Sequence, residues 1–347
     1  MQNILFRLVV FLFFLSGTGL VNARDYRYID SVMRVCPAQR TQSVENIGKY
    51  IKDKFSSDSD RLRAAYSWVA QHINYDIAKM HSGITYKHES EVVKQVLRTR
   101  KTVCFGYVVT LKAILENLGI KTVTVKGYTK QNGKIDEIPH AWCAVKHNGE
   151  WRLIDPTWSS GYYSSGKFHK RFNDKWFLVN PDRIISSHIP FDPVWQFSYF
   201  PLNSSEFYGE TGADSISSRF FSYLDTINII EKSSEKERLI AENRRIRSMG
   251  VNNSMISKHI NDNVRYLEYI EHDANVSIFN EAVNLYNLAG SLYNKGSAND
   301  LKAARQKLNE ASEIIDGIQT SDKDMSASIR DLKKMINRLK SQIEEML

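Results

Sequence analysis

The apolar residues that follow residue 58 recur at steps of three and four, which is the spacing of one face of a helix. This pattern predicts a helix over 59–77, with Ser57 and Asp58 available as N-terminal caps. The apolar face of this helix consists of Leu62, Ala65, Tyr66, Val69 and Ile73. A further helix is predicted over 90–98.

The next apolar stripe begins with a cysteine. Its members, separated by four, three, four and three residues, are Cys104, Val108, Leu111, Leu115 and Leu118. Gly119 follows as the residue that ends the helix. The stripe therefore places Cys104 on the buried face of a central helix, at its N-terminal end.

After Lys121 the period changes to two, which indicates strands. Three strands are predicted, over 121–129, 139–147 and 150–158, and Asn148-Gly149 between the last two is a strong hairpin signal. A helix followed by an antiparallel sheet is an α+β arrangement. Residues 156–212 give broken signals and are expected to form loops and short strands that close this first domain.

The composition shifts near residue 212 to Asn, Ser, Lys and Glu, with helical periodicity and no proline. Residues 24–212 are therefore predicted to form one domain and 213–347 an all-α region. Helices are predicted over 216–248, 254–272, 276–295, 299–317 and 323–346. One tetratricopeptide-like hairpin is also suggested by the spacing of Tyr286, Ala289, Gly290 and Tyr293 and of Ala304, Leu308 and Ala311. A generic helical bundle fits the same spacing.

The first 23 residues resemble a cleavable secretory signal, with one basic residue, an apolar run and the small-residue pattern Val21-x-Ala23. The apolar run is too short to span a bilayer, and no later segment approaches the length of a membrane span. We therefore expect a secreted or periplasmic protein that is soluble from about Arg24 onward. A retained N-terminal anchor is the alternative.

The chain has a formal net charge of +8, and this charge belongs to the first domain, because residues 213–347 hold nearly equal numbers of basic and acidic side chains. A basic domain favours an acidic partner or an anionic envelope surface, although a solvated basic face explains the charge equally well. Because no nucleic-acid motif accompanies the charge, a nucleic-acid partner is not expected.

An exported chain normally pairs its cysteines. This chain has three, Cys36, Cys104 and Cys143, so at least one must be free or bonded to a partner. Whether Cys36 and Cys143 pair is left open. The odd thiol is either buried and inert, or present because it is reactive.

The position of Cys104 suggests that its thiol is reactive, because a helix N-terminus favours a thiolate over a thiol. A tight turn at Asn148-Gly149 pairs positions so that His140, Trp142, Asp155 and Thr157 share one face of the hairpin. Asp155 is then the diagonal neighbour of His140, and Cys143 points to the opposite face.

The spacing thus favours a Cys104, His140 and Asp155 triad, with the helix N-terminus packed against the face that carries the histidine and the aspartate. A buried cysteine, an edge histidine and a turn-forming aspartate would fit the same spacing without any catalytic role.

Four segments, "SWVAQHINYD", "VCFGYVVTLKAILENLGI…VKGY", "HAWCAV" and "EWRLIDPTW", resemble successive blocks of the transglutaminase-like superfamily. The resemblance covers roughly 58–160 and extends more loosely through "HIPFDPVWQF" toward residue 208. It implies a papain-like core with Cys104 as nucleophile, His140 as base and Asp155 as the acid that orients it. Two departures are Thr102, where many members have glycine, and Cys143, where asparagine commonly follows "HAW".

The expected function is a thiol enzyme that attacks protein or peptide amides and forms an acyl-enzyme, as a peptidase, deamidase or transglutaminase. Neither a cofactor nor a metal is predicted, because no ligand spacing is present. The alternative is a non-enzymatic adaptor that retains the fold and binds a protein partner through its helical C-terminal region. Two further expectations concern aromatic residues. Tyr75 either donates a hydrogen bond to an oxyanion or is a packed side chain. Trp142, Trp151 and Trp158 either form the walls of a substrate channel or belong to the core.

Overall fold

The computed structural model describes residues 25–80, 88–209 and 220–347. The predicted signal peptide, residues 1–23, lies outside these ranges. The helices that precede the main sheet are α1 (Arg27–Arg34), α2 (Val44–Lys54), α3 (Asp58–His72), α4 (Glu89–Thr99) and α5 (Cys104–Asn117). The helices predicted over 59–77, over 90–98 and from Cys104 onward are therefore confirmed, with small shifts in their bounds.

Helix α3 is capped as predicted, because the Ser57 hydroxyl accepts a hydrogen bond from the Asp60 amide at 3.1 Å. The helix ends at His72, earlier than predicted. The chain then extends into β1 (Asn74–Tyr75), which pairs in parallel with β2 (Lys101–Thr102). Since β2 runs almost directly into α5, this short pair of strands fixes the point at which α5 begins.

Helix α5 lies at the centre of the largest buried cluster, with α2, α3 and α4 packed around it. Its fully buried side chains include Tyr107, Val108, Leu111, Ile114 and Leu115. The last helical residue is Asn117, and Gly119, which was predicted to end the helix, follows two residues later with a φ of +79°, a left-handed conformation that glycine adopts without steric cost.

The main sheet is antiparallel and has the strand order β4-β3-β5-β6, with β9 paired to β3 on the opposite side from β5. Its strands, with the separate β7–β8 hairpin, are β3 (Thr122–Gln131), β4 (Lys134–Ile135), β5 (His140–His147), β6 (Glu150–Ile154), β7 (Gly161–Ser164), β8 (Lys167–Lys170) and β9 (His188–Pro190). Three short helices connect the later elements: α6 (Pro156–Ser160), α7 (Pro181–Ile184) and α8 (Ser204–Tyr208).

Gly127 allows three strands to meet at one point. It pairs with His140 of β5 on one side and with Pro190 of β9 on the other. A Cβ atom at this position would lie 2.1 Å from the Ile189 carbonyl oxygen and 2.6 Å from the Trp142 ring. The absence of a side chain at Gly127 therefore lets β9 lie close to β3.

The β5–β6 hairpin has the predicted register, with His147 opposite Glu150 and Cys143 opposite Ile154. Cys143 therefore faces away from Trp142, as predicted, and the two side chains enter different buried clusters.

The third predicted strand, over 150–158, is wrong beyond Ile154, where β6 ends. Asp155 instead caps helix α6, whose first residue is a proline. Proline at the first helical position has a φ suited to a helix and needs no hydrogen-bond acceptor. Thr157 is therefore helical and does not pair with His140.

The predicted packing of α5 is also wrong. The helix packs against the Cys143 face of the sheet, where the Cys143 sulfur lies 3.7 Å from the Val108 carbonyl oxygen. Cys104 lies one helical turn before Val108, while His140 begins β5 and Asp155 follows β6. The three candidate residues therefore meet at the end of the sheet and not across one of its faces.

The C-terminal helices are α9 (Tyr223–Lys232), α10 (Glu235–Ser248), α11 (Ser254–Tyr293), α12 (Ala298–Asp316) and α13 (Lys323–Met346). The single helix predicted over 216–248 is wrong, because Ser234 and Glu237 form a capping box that starts a new helix. The separate helices predicted over 254–272 and 276–295 are one helix of 40 residues. No glycine or proline lies between those two predicted segments, so nothing in the sequence interrupts the helix.

Helices α11, α12 and α13 share a buried cluster of their own. Four of the residues that suggested a helical hairpin, Ala289, Ala304, Leu308 and Ala311, lie inside this cluster and are fully buried. Within the described residues, no helix has both the length and the apolar character required to cross a membrane.

The first C-terminal helices pack against the sheet. Ile227 of α9 belongs to the cluster on the Trp142 face, and Ile246 and Ile256 pack with Tyr128 of β3. The division at residue 212 remains a prediction, and residues on both sides of it share buried surface.

Candidate active site

Cys104 is the first residue of α5 and is half-buried. Its preceding residue, Val103, has no side chain that can accept a hydrogen bond from the first-turn amides. The positive end of the helix is therefore not offset by a polar cap and acts on the thiol.

Gly106 and Thr102, which lie two residues on either side of Cys104 in the sequence, pack tightly against each other. A Cβ on Gly106 would lie 2.0 Å from the Thr102 hydroxyl, and Thr102 itself is buried. Thr102, where many transglutaminase-like proteins have glycine, therefore fills space that Gly106 leaves open. The departure changes local packing without removing a reactive group.

His140 and Asp155 are in contact, although Asp155 lies in the N-terminal cap of α6 and not in a strand. The His140 Nε2 atom lies 2.8 Å from the Asp155 Oδ2 atom. The other carboxylate oxygen accepts hydrogen bonds from the amides of Thr157 at 2.8 Å and Trp158 at 3.0 Å. Because Asp155 is fully buried and α6 holds its second oxygen, the carboxylate is fixed in orientation.

His140 and Asp155 each stabilise the charged form of the other. Burial alone would lower the pKa of His140, but the charge of Asp155, its hydrogen bond and the contact with Cys104 raise that pKa well above its ordinary value. Burial likewise acts to raise the pKa of Asp155, but the charge and hydrogen bond of His140 lower it. We therefore assign a charged imidazole and a charged carboxylate at neutral pH.

Cys104 lies close enough to the same imidazole to help raise the pKa of His140. The Nε2 atom of His140 is engaged by Asp155, so Nδ1 is the ring nitrogen left for the sulfur. The structure thus brings together Cys104, His140 and Asp155, the three residues predicted as the site.

A second histidine, missed by the sequence reasoning, also contacts Asp155. His188 of β9 is fully buried, and its Nε2 atom lies 3.2 Å from the same Asp155 Oδ2 atom that His140 contacts. It occurs in "HIPFDPVWQF", where the resemblance is loose and the apolar pattern is short. Only the pairing of β9 with β3 brings this residue to the site, and no local signal in the sequence indicates that pairing.

Aromatic rings enclose the two histidines. The ring centroid of His188 lies 5.1 Å from Trp142, 4.5 Å from Trp158 and 5.0 Å from Trp176. Trp158 is also 5.7 Å from His140. These rings exclude water from the Asp155 side of the site, which strengthens its electrostatic interactions.

Of the three tryptophans considered as channel walls, Trp142 is a core residue. Trp151 packs against the same cluster, with Phe197 at 5.4 Å. Trp142 and Trp158 both lie next to the site, with ring centroids 6.2 and 5.7 Å from that of His140. The core interpretation therefore holds for Trp142, and Trp158 helps to form the wall behind His140.

Tyr75 packs against the same buried cluster as Cys104. It pairs with Thr102 in the β1–β2 ladder, and its ring packs against Tyr107 and Phe168. Burial and the neighbouring charge of Cys104 raise the pKa of Tyr75 above its ordinary value. The hydroxyl is therefore protonated at neutral pH and able to donate a hydrogen bond.

The three cysteines are all unpaired, and all lie within the described residues. Cys36 and Cys143 therefore do not bond to each other. Both are buried, and burial raises the pKa of Cys36 to about 11 and that of Cys143 further still. These two thiols are accordingly inert, and Cys104 is the more accessible of the three.

His140, Asp155 and His188 also offer three donor atoms within 4.8 Å of one another, a spacing found in some metal sites. Here each of these atoms takes part in a hydrogen bond to another member of the group. Hydrogen bonding explains the cluster, and we assign no metal to it. The absence of a cofactor remains a prediction from the sequence.

Comparison with known proteins shows similarity over part of the chain. The sequence model of the transglutaminase-like superfamily matches residues 45–156, about a third of the chain. Kyphoscoliosis peptidase of Mus musculus is 34% identical over 161 residues, which are 44% of this chain and 24% of that protein. Cytokinesis protein 3 of Schizosaccharomyces pombe is 26% identical over 192 residues, or 53% of this chain and 21% of the relative.

This chain thus spans about a quarter of the length of the curated relatives that it matches. Among solved structures, a crystal structure of a TGase is 23% identical and covers 46% of this chain and 38% of that chain, with a TM-score of 0.28. Because a score of this size reflects only partial superposition, the family assignment rests on the sequence match over 45–156.

Proposed function

Residues 45–156 belong to the transglutaminase-like superfamily, and from that premise we propose that the protein is a thiol enzyme that attacks amide bonds of proteins or peptides through an acyl-enzyme. One observation carries the proposal. Cys104 begins a buried helix beside His140, which is hydrogen-bonded at 2.8 Å to the fully buried Asp155.

In the proposed reaction the Cys104 thiolate attacks the amide carbonyl carbon and forms the C–S bond. The His140 imidazolium then donates its proton to the leaving amine as the C–N bond breaks, which leaves a thioester on Cys104. Asp155 holds the imidazole through Nε2, so Nδ1 carries the proton that is transferred. The carboxylate also stabilises the charged imidazole before the transfer.

The developing oxyanion needs hydrogen-bond donors. We assign this role to the backbone amide of Cys104, at the positive end of α5, together with the hydroxyl of Tyr75. Two observations support the choice of Tyr75: its β-strand pairing with Thr102, two residues before the thiol, and the effect of Cys104 on its pKa.

The acyl acceptor distinguishes the possible activities. Water gives a peptidase or deamidase, and an amine gives a transglutaminase. The relative that is 34% identical is named a peptidase, which makes hydrolysis the first reaction to test. We further propose, from the Val21-x-Ala23 pattern, that the chain is exported and cleaved after residue 23.

The test is a peptide library incubated with the protein, read for hydrolysis and for incorporation of a primary amine. A thioester adduct on Cys104, detected by mass spectrometry, is expected in the parent protein and in Cys143→Ala. Cys104→Ala should abolish both turnover and adduct. If the parent protein neither turns over any peptide nor forms the adduct, the adaptor function predicted as the alternative becomes the better explanation.

A further inference from the structure

His188 occupies a position that packing alone does not explain. It is fully buried beneath three tryptophans, yet it points a ring nitrogen at Asp155 Oδ2, the oxygen that also binds His140. Its other nitrogen, Nδ1, lies 2.8 Å from the Ser187 hydroxyl. Both polar atoms of a buried ring are therefore engaged, one of them by the candidate catalytic carboxylate.

The direction of these hydrogen bonds follows from the partners. A carboxylate can only accept, so Nε2–H of His188 donates to Asp155. Burial lowers the pKa of His188, so the ring is neutral and Nδ1 has no proton. Because the unprotonated Nδ1 can only accept, the Ser187 hydroxyl donates its proton to Nδ1 at 2.8 Å, in preference to the Ile184 carbonyl oxygen at 3.2 Å. The result is a continuous chain of hydrogen bonds from Ser187 through His188 and Asp155 to His140.

One consequence is competition for a single oxygen. Two N–H groups share Oδ2, at 2.8 Å from His140 and 3.2 Å from His188. A second donor withdraws electron density from the carboxylate and weakens its hold on the first donor. The carboxylate stays in place in either case, because α6 amides bind its Oδ1.

We propose that His188 is a positioning residue that shares Asp155 with His140 and so limits how strongly the carboxylate stabilises the charged form of the His140 imidazole. This inference deepens the proposed function, because such tuning matters only if His140 is the acid and base of the reaction. An imidazole that is held too strongly in its charged form is a poor proton donor to the leaving amine.

Other charged and titratable groups bear on the two histidines and must be considered. His140 is influenced by Asp155 and Cys104, and His188 by Asp155, His140 and Asp136. Of these groups, Asp155 is the one that hydrogen-bonds to both rings. Removing His188 therefore acts on His140 mainly through Asp155.

The experiment compares His188→Phe, which keeps a ring but has no donor, with His188→Gln, whose amide can donate from about the position of Nε2. The His140 ring is titrated by ¹⁵N NMR, with its signal assigned from a His140→Gln variant. In His188→Phe we expect the His140 titration to move upward by about half a pH unit or more. We expect kcat to fall several-fold with little change in KM, and His188→Gln to restore both values toward the parent.

If His188→Phe lowers thermal stability but leaves the His140 titration unchanged, His188 is a packing residue and the inference fails. If that variant does not fold, Ser187→Ala decides the matter, because loss of the donor to Nδ1 should move the titration in the same direction by a smaller amount. No movement in Ser187→Ala would likewise overturn the inference. The titration does not require turnover, so an inactive parent would contradict the proposed function without deciding the role of His188.

Discussion

Replacement of Arg63 by methionine should destabilise the protein strongly, although Arg63 is remote from any chemical role. The guanidinium is fully buried in α3 and forms a two-pronged ion pair with Asp30 of α1, with nitrogen–oxygen distances of 2.8 and 2.6 Å. It also contacts Asp174. The rings of Tyr26 and Phe177 lie 4.5 and 4.8 Å from its central carbon. Arg63 therefore joins three segments that are distant in sequence.

The magnitude follows from the burial of the partners. Removing one member of a buried ion pair costs about 3–5 kcal/mol, mainly because the other charge is left unpaired. Asp30 keeps 19% of its side-chain exposure and Asp174 keeps 68%, so the lower end of the range, about 3 kcal/mol, is appropriate. With an unfolding entropy of about 2.1 cal/mol/K per residue, this loss lowers Tm by roughly 4 °C if the whole chain unfolds together and by roughly 8 °C if only the first domain does.

The assay is chemical denaturation of the parent, Arg63→Met, Asp30→Asn and Asp174→Asn. Asp174→Asn is the matched control, because an exposed ion pair is worth no more than about 1 kcal/mol. We expect Arg63→Met to be the least stable of the four proteins, followed by Asp30→Asn. A stability of Arg63→Met within about 0.5 kcal/mol of the parent would refute the reasoning. So would an Asp174→Asn variant as unstable as Arg63→Met.

Two further predictions concern the sheet and its contact with the C-terminal helices. Gly127→Ala should separate β9 from β3, because the new methyl group would meet the Ile189 carbonyl oxygen. We expect a lower Tm and faster exchange of the backbone amides of β9. Unchanged amide exchange in β9 would contradict this explanation. Arg245→Met should cost about 3 kcal/mol at pH 7.5, since it leaves the buried Asp192 carboxylate unpaired. Burial already raises the pKa of Asp192 to about 6 despite Arg245, so folding favours the protonated acid and the deficit should shrink as pH falls toward 5. Denaturation at both pH values measures this, and an equal deficit at each would show that Asp192 is not the cause.

The parts of the fold that the sequence predicts well are those with strong local signals. The apolar stripe that begins at Cys104 fixed helix α5 and its end near Gly119, and Asn148-Gly149 set the register of the hairpin. That register brings Asp155, the residue after β6, toward His140.

The parts that could not be predicted depend on tertiary structure. Nothing local indicates that α5 packs on the Cys143 face, because both faces of β5 are buried. His188 is placed by the pairing of a three-residue strand with β3, and so short a strand has no detectable period. The 40-residue helix α11 continues without a break through residues 273–275, which separate the two predicted helices.

The central claim, that Cys104, His140 and Asp155 act as one unit, is tested most directly by the rate of alkylation of Cys104 as a function of pH. In the parent protein, labelling of Cys104 should remain appreciable well below pH 8. His140→Ala should move the labelling profile upward by roughly one pH unit or more, and Asp155→Ala should move it in the same direction by less. Cys143, buried on the other face of the sheet, should label slowly in all three proteins. If Cys104 and Cys143 label alike, and neither rate responds to His140→Ala, the thiolate–imidazole unit does not exist.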